Sequence, residues 1–443
     1  MGFCTTFPLG RSARYFAVLE AVGTAGFGKF LTTESDWIQG GSAAIGGFAP
    51  LSFSVNYEQE RRLPEVARDT RSEYFGLKTV GKASVSWDME CLAFTAQDGV
   101  NARALRPDIY PFIQSAVGLS ATNNGAADTK FTPQPAGADN NCLDTMNVYR
   151  VVPGSFGEHL SGVAVDSMSI NVSGGDDIKL SFSGMAYKRY QVGAALLTTN
   201  MGTAQTAVET AANGNAWNFP APGTNYDATT YQPMASVDLG TDAGKVKKIT
   251  ANDYSGEAVD ITLESTTGAS GADTTSLVPF PSLSPLLSGS ALSSISGTLS
   301  VKPCKLDVTG TQYTGIEFTD LPLTSLSLTI NNQIKPIDDL AFEESAFAGF
   351  APGFRTVEGT LAFKLRKEDA MLYYARRDQF QLNKVVATLG TTTHKKIQIT
   401  MNFCEWGASS LSVPVQDEIT VDVPFRAISD ASGNENDIEI LYV

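Results

Sequence analysis

The chain has 443 residues and a mass of 47.1 kDa, with 32 Lys and Arg against 47 Asp and Glu for a formal charge of −15. At about 150 residues per domain this length suits two or three domains, each large enough for its own core. The 18% charged and 42% hydrophobic composition excludes a disordered or coiled-coil chain. No apolar run approaches the length of a transmembrane helix, and the acidic balance argues against binding nucleic acid by phosphate neutralisation.

Residues 1–48 read as an N-terminal arm. Met1 to Thr6 lacks a basic region followed by an apolar core, and Glu20 interrupts the partly apolar stretch from Tyr15 to Gly28, so no signal peptide is expected. Gly2 with Thr6 matches a myristoylation pattern without polybasic support. The five cysteines (Cys4, Cys91, Cys142, Cys304, Cys404) are odd in number and scattered, with no CxxC pair. His159 and His394 are isolated, so neither a zinc site nor a disulfide framework is expected. Buried, reduced cysteines are the simpler reading.

A first β domain is expected over 49–190. It opens with a strand from Leu51 to Tyr57 and a charged loop, Glu58 to Phe75, that includes Glu60, Arg61, Arg62, Arg68, Asp69 and Arg71. In the next strand Ala83, Val85, Trp87 and Met89 alternate with Ser84, Ser86, Asp88 and Glu90. A helix follows over Asp108 to Gly118, with Ile109, Phe112, Ile113, Ala116 and Val117 on one face. Leu119 to Phe156, rich in Ala, Asn, Gly and Asp, reads as a surface loop. Strands Val165–Val172, carrying Ser167, Ser169 and Asn171, and Ile178–Phe182, carrying Lys179 and Ser181, are joined by a Gly-Gly-Asp-Asp hairpin turn at 174–177.

Residues 191–300 differ in composition and read as a linker with a small inserted β unit. Leu196 to Ala235 is the linker, and Val246–Thr250 with Val259–Leu263 make the β unit. A second β domain is expected over 301–443. Leu326 to Asn332 forms its first strand, followed by a loop, Gln333 to Ala351, with Phe342, Phe347 and Phe350. The next strand alternates Gly359, Leu361, Phe363 and Leu365 with Glu358, Thr360, Lys364 and Arg366. A helix over Glu368 to Asp378 precedes strands Ile397–Phe403, with Gln398 and Thr400, and Ile419–Phe425, with Asp422.

The two halves match. Leu51-Ser52-Phe53-Ser54-Val55-Asn56-Tyr57 corresponds to Leu326-Ser327-Leu328-Thr329-Ile330-Asn331-Asn332 at an offset of 275, and Gly76–Val80 corresponds to Gly353–Val357 at 277. Each half then runs strand, long loop, strand, helix, strand, strand. Paired long loops at equivalent places point to function. All the strands are apolar on one face and small and polar on the other, as expected of antiparallel sheet with one wet face. An ordinary sandwich with a solvated outer face would read the same way.

No catalytic motif is present: there is no GxSxG elbow, P-loop, GxGxxG or HExxH. Asp88 and Glu90 lie two apart on one strand face, where paired carboxylates can work as acid and base, but a solvated acidic pair is the commoner meaning of that pattern. Asp176 and Asp177 alone make a weak case for a cation. No enzyme, cofactor or metal is expected.

On this order of elements, the strand 327–332, the segment Gly353-Phe354-Arg355-Thr356-Val357-Glu358-Gly359-Thr360-Leu361, and the first-half strands at 162–170 and 178–184, the chain resembles the major tail tube proteins of long-tailed bacteriophages. The likeness is to the kind with two tube domains per polypeptide, and it covers about 50–190 and 300–443. The resemblance implies a mainly β fold of two duplicated sandwich or barrel tube domains whose sheets join edge to edge into a ring. Single-domain relatives form hexamers, so two domains per chain imply a homotrimer with pseudo-sixfold symmetry. About four strands per domain give roughly two dozen strands. At about 4.8 Å spacing and 40° tilt the backbone diameter is near 48 Å, leaving roughly 38 Å between side chains, wider than duplex DNA.

The expected role is therefore a virion structural protein whose stacked rings form a channel for DNA ejection, of the non-contractile, siphovirus type. The implied partners are further copies of itself, tape-measure, tail-terminator and tail-tip proteins, and duplex DNA in transit, with no membrane; before assembly it would be in the host cytoplasm. The expected channel lining is Ser84, Ser86, Asp88, Glu90, Ser169, Asn171, Ser181, Glu358, Thr360, Gln398, Thr400 and Asp422. The loops at Glu58–Phe75 and Gln333–Ala351 are expected to seal subunits and rings, and Lys364 and Arg366 to lie near the rim or pair with acids. The alternatives are a capsid decoration protein or adhesin, and, from another class, a carbohydrate-active enzyme using Asp88 and Glu90.

Overall fold

A computed structural model describes residues 13–20, 28, 47–62, 79–94, 107–123, 128–133, 143–152, 156–193, 207–210, 234–237, 245–255, 258–263, 277–278, 291–293, 297–306, 312–314, 317–337, 349–369, 382–392, 395–407, 410–413, 418–429 and 436–442. The first half comprises β1 (Arg14–Leu19), β2 (Gly47–Phe48), β3 (Pro50–Arg62), β4 (Thr79–Leu92) and helix α1 (Tyr110–Val117). It continues with β5 (Leu119–Asn123), β6 (Asp128–Thr132), β7 (Met146–Val152), β8 (Phe156–Ser173) and β9 (Lys179–Gly193). The middle segment holds β10 (Ala207–Thr210), β11 (Met234–Val237), β12 (Lys245–Ser255), β13 (Ala258–Leu263) and β14 (Leu277–Val278). The second half begins with β15 (Thr298–Leu306), β16 (Gln312–Thr314), β17 (Phe318–Asn331), β18 (Lys335–Ile337) and β19 (Gly349–Ala351). It ends with β20 (Thr356–Lys364), a 3₁₀ turn at Lys367–Asp369, β21 (Leu382–Thr392), β22 (Lys395–Trp406), β23 (Ser410–Ser412), β24 (Thr420–Ala427) and β25 (Glu439–Tyr442).

The fold is mainly β, and the second half closes on itself. Antiparallel ladders run β17 to β20, β20 to β24, β24 to β22, β22 to β21, β21 to β15 and β15 back to β17, a six-strand barrel. Its apolar alternation points inward, burying Leu326, Leu328, Ile330, Leu361, Phe363, Val423 and Ile399. Each such side chain contributes about 1.5–3 kcal/mol on leaving water. In the first half β3 pairs β4, β4 pairs β9, β9 pairs β8, β8 pairs β7, β7 pairs β1, and β1 returns to β2 beside β3. Helix α1 packs under these strands. Pro111 sits in its first turn, where a missing N–H costs nothing, and only Gln114 of its eight residues is not buried. Phe112 stands at centroid distances of 5.0, 5.7 and 5.6 Å from Phe48, Trp87 and Phe182.

Several sequence expectations are corrected. The N-terminal arm is not separate from the first domain, because β1 is one of its strands and Phe16 is fully buried. The supposed surface loop 119–156 contains β5, β6 and β7. β7 escapes the alternation rule because it is covered on both faces: Met146, Asn147, Val148 and Tyr149 are all buried. The charged loop starts later than Glu58, since β3 continues to Arg62, with Arg61 opposite Val80 and Arg62 opposite Thr79. β10 lies inside the expected linker, β9 runs on to Gly193, and β15 begins at Thr298. The inserted pieces around 246–250 and 259–263 do pair, as the β12–β13 hairpin, and β11 adds in parallel to β9. The helix expected at 108–118 is α1. Of the one expected at 368–378, the 3₁₀ turn is described and the rest lies outside the described residues.

Asn147, Thr145 and the backbone amides of Gly28 and Gly162 donate to the Glu20 carboxylate at 3.2, 2.5, 3.3 and 2.9 Å. Burial pushes Glu20 above its ordinary range, and these hydrogen bonds partly oppose the shift. The other end of Asn147 meets His159 Nε2 at 2.9 Å, and complete burial pushes that imidazole down to about 3. The neighbouring Glu158 is held between Arg150, at 2.5 Å, and Arg189.

The two halves are joined along a long seam. Residues 167–173 of β8 pair antiparallel with 325–331 of β17, from Asn331 opposite Ser167 to Ser325 opposite Ser173. Beneath the ladder, Asn332 Nδ2 donates to the carbonyls of Ala116 and Val165, each at 3.0 Å, and its backbone N–H donates to Asp166 O at 2.7 Å. Arg355 donates to Val117 O at 3.2 Å and grips Asp437 through two hydrogen bonds of 3.0 and 2.7 Å. Second-half side chains thus satisfy carbonyls at the end of α1 that no intrahelical donor reaches. A second ladder, β25 on β6, ties the C-terminal strand to the first half.

Candidate functional site: a polar sheet face across both halves

The seam makes a single sheet out of β3, β4, β9, β8, β17, β20, β24 and β23, in that lateral order. Residues opposite one another on paired strands share a face, so the ladder partners define rows. One row runs Ser52, Glu90, Ser181, Ser169, Thr329, Glu358, Arg426. The next runs Ser54, Asp88, Ser183, Ser167, Asn331, Thr356. A third runs Lys179, Asn171, Ser327, Thr360, Pro424. No large apolar side chain interrupts these rows, and each crosses from one half to the other without a break. The opposite face of the same strands supplies the buried cores.

Hydrogen bonds tie the rows sideways. Ser327 Oγ donates to Asn171 Oδ1 at 3.0 Å across the seam, and Ser54 Oγ donates to Asp88. Lys179 Nζ lies 3.5 Å from Glu90, with both side chains substantially exposed, so water screens that pair. Arg426 sits opposite Glu358 on one side and Glu405 on the other. A shallow depression of about 230 Å³ opens on this face, lined by Ser52, Asp88, Glu90, Ser167, Ser169 and Ser181 among others. Gly359 permits the close ladder beneath the face, since a Cβ there would come within 2.0 Å of Ser327 O.

Of the residues expected to line a channel, Asp88, Glu90, Ser169, Asn171, Ser181, Glu358 and Thr360 stand together in these three rows. Ser84, Ser86 and Asp422 extend the same face, opposite Glu58, Asn56 and Ser410. Gln398 and Thr400 do not join it. They lie where β22 pairs with β21 and β25, opposite Leu441 and Glu439, and Thr400 is buried. The polar alternation of β22 distinguishes its two faces, but the pairing with β21 and β25 carries this strand around the barrel. The face also includes Ser52, Ser54, Ser327, Thr329 and Asn331, beyond the expected lining, and their polar alternation in β3 and β17 is the sequence signal for them.

Lys364 contacts Glu418, and Arg366 donates to Asp369 Oδ2 at 2.6 Å. Asp369, with Asp320 and Glu368 further off, pushes the already basic Arg366 guanidinium up. Asp176 closes the β8–β9 turn by accepting from Ser173 Oγ at 2.7 Å, and Gly175 supplies that turn's φ of +93°. Of the sealing-loop residues, Glu60, Arg61 and Arg62 belong to β3, and Phe350 is half-buried in β19, opposite Pro336. Arg68, Asp69, Arg71, Phe342 and Phe347 lie outside the described residues. Among the described residues no three His, Cys, Asp or Glu gather as a metal site, and no helix is long and apolar enough to cross a membrane.

No protein-family model matches the chain, and no curated protein matches it. Among solved structures it is similar to the tail of an empty GTA particle determined with C6 helical symmetry. The identity is 14% and the TM-score 0.20, with 30% of this chain and 91% of that chain covered.

Proposed function

We propose that this chain is the structural subunit of a phage tail tube, with its polar sheet face as the wall of a DNA channel. The observation that carries the reading is the β8–β17 seam, which runs one hydrated face through both halves of a single polypeptide. In this reading the halves are duplicated tube domains. Their matching order of pairing, β3–β4–β9–β8–β7–β1 and β17–β20–β24–β22–β21–β15, supports that. Each half contributes four strands to the wall, β3, β4, β9 and β8 or β17, β20, β24 and β23. Three chains then close a ring of roughly two dozen strands, with a bore of about 38 Å.

Duplex DNA carries one negative charge per roughly 1.7 Å of axis, so a basic wall would hold it by counterion release. A wall of serines, threonines and asparagines, with its carboxylates in excess, keeps a water layer and weakly repels the duplex. The chain does no chemistry on what passes; Asp88 and Glu90 serve as wall charges. Stacked rings make the tube of a non-contractile virion tail, in contact with tape-measure, terminator and tip proteins. Negative-stain microscopy of the purified protein tests this: rings or tubes with an open bore are expected, and a monodisperse monomer at every concentration would contradict it.

A further inference from the structure

The segment between the halves leaves and re-enters the first half at opposite ends of one strand. β11 adds to the last residues of β9, with Met234 opposite Val192 and Ala235 opposite Gly193. The returning chain sits at the other end, beside the start of β9 at Lys179. There Leu292 N donates to Ala93 O at 2.7 Å, and Leu292 O accepts from Ile178 N at 2.9 Å. Leu292 is buried, and Ser293 bridges to Asp177. The 15 residues of β9, at about 3.4 Å each, separate the two attachment points by about 50 Å.

The two ends differ in charge. Lys245, Lys247 and Lys248 are the only three basic residues between 191 and 300, and all fall in the first four positions of β12. Residues 245–248 pair with β11, which places them at the Gly193 end. Near that end Arg150 and Arg189 share the single carboxylate of Glu158, which leaves a net positive charge. At the Lys179 end the β8–β9 turn exposes Asp176 and Asp177. At the same end of the second half, Glu418 and Glu368 are more exposed than Lys364 and Arg366, with which they pair.

Strands of a closed wall lie within about 45° of its axis, so the two ends of β9 face the two sides of a ring. We infer that the inserted β unit is a stacking element, in which the lysines of β12 on one ring meet the Asp176–Asp177 turn of the next. This rests on the tube reading and assigns the insert a role within it. Groups about 50 Å apart along one strand do not meet within that chain. Identical rings stacked head to tail bring the lysine end of each against the acidic turn of its neighbour, and the contact repeats along the tube.

Charge reversal on each side tests this, read by negative-stain microscopy and by sedimentation of tubes away from rings. Lys245→Glu with Lys247→Glu and Lys248→Glu, on one side, and Asp176→Lys with Asp177→Lys, on the other, are each expected to give rings that do not stack. An equimolar mixture of the two kinds of ring is expected to regain tubes, as is the chain carrying all five changes, because opposite charges then meet again. One-sided variants that stack as wild type does, or a five-change chain that does not regain tubes, would overturn the contact and leave the tube reading standing. Wild-type protein that never forms a ring would overturn both. In wild-type tubes a carbodiimide, which joins only touching amines and carboxylates, is expected to link residues 245–248 to residues 176–177, with no such product from isolated rings. Tubes that give no such link would refute the contact.

Discussion

Replacing Asn332 by leucine keeps the branched four-atom side-chain skeleton and removes the amide that donates to Ala116 O and Val165 O, both at 3.0 Å beneath the seam. Asn332 is 2% exposed, so water cannot take over as donor. A buried polar group that loses its partner costs about 1–3 kcal/mol, and two carbonyls lose one here, so the variant should lose about 2–6 kcal/mol. Against the 5–15 kcal/mol typical of a folded domain that is a large fraction. Urea unfolding followed by far-ultraviolet circular dichroism reads the loss as a lower midpoint at similar slope. Ser327→Ala is the control: its hydroxyl bond to Asn171 lies on the exposed face and should be worth under about 0.5 kcal/mol. If Asn332→Leu shifts stability no more than Ser327→Ala, the seam is not held as argued.

His159, buried neutral with its imidazole pushed down to about 3, binds no proton between about pH 6.5 and 3 while the unfolded chain does, so stability falls as pH drops through that window. The cost at pH 5 is about 2 kcal/mol, and His159→Gln should flatten the melting profile between pH 7 and 5; an unchanged profile would exclude this source. Glu20 acts in the opposite sense, because its raised carboxyl contributes most below its unfolded value and less as pH rises, so Glu20→Gln should make the acid-side loss steeper. Converting Asp88 and Glu90 to lysine should leave tubes intact and slow DNA release from the particle, most at low salt; equal ejection kinetics would show that these residues do not face the duplex. Deleting residues 340–350 should leave a folded chain that does not polymerise, and tubes of normal length would refute a sealing role for that loop.

Period-two alternation was enough to find β3, β4, β8, β9, β17, β20, β22 and β24, because each buries one face and wets the other. It failed where that condition failed. β7 is buried on both faces, with Asn147 and Tyr149 inside as well as Met146 and Val148. β1 is a short apolar run followed directly by Glu20, which reads in sequence as an interruption; in the fold the Glu20 carboxylate gathers donors from three segments. Most of the polar face was legible strand by strand. Its continuity was not, because nothing local says that Thr329 pairs with Ser169, 160 residues away. The misplacement of Gln398 and Thr400 has the same origin: alternation tells the two faces of a strand apart, and only the pairing says where around the barrel the strand lies.

The central claim, that two wall-forming halves are carried on every chain, is tested most directly by the copy number of one ring. Native mass spectrometry of isolated rings, with symmetry analysis of the assembled tube, should give three copies of the 47.1 kDa chain and threefold symmetry with six similar lobes. Six whole chains per ring would contradict it.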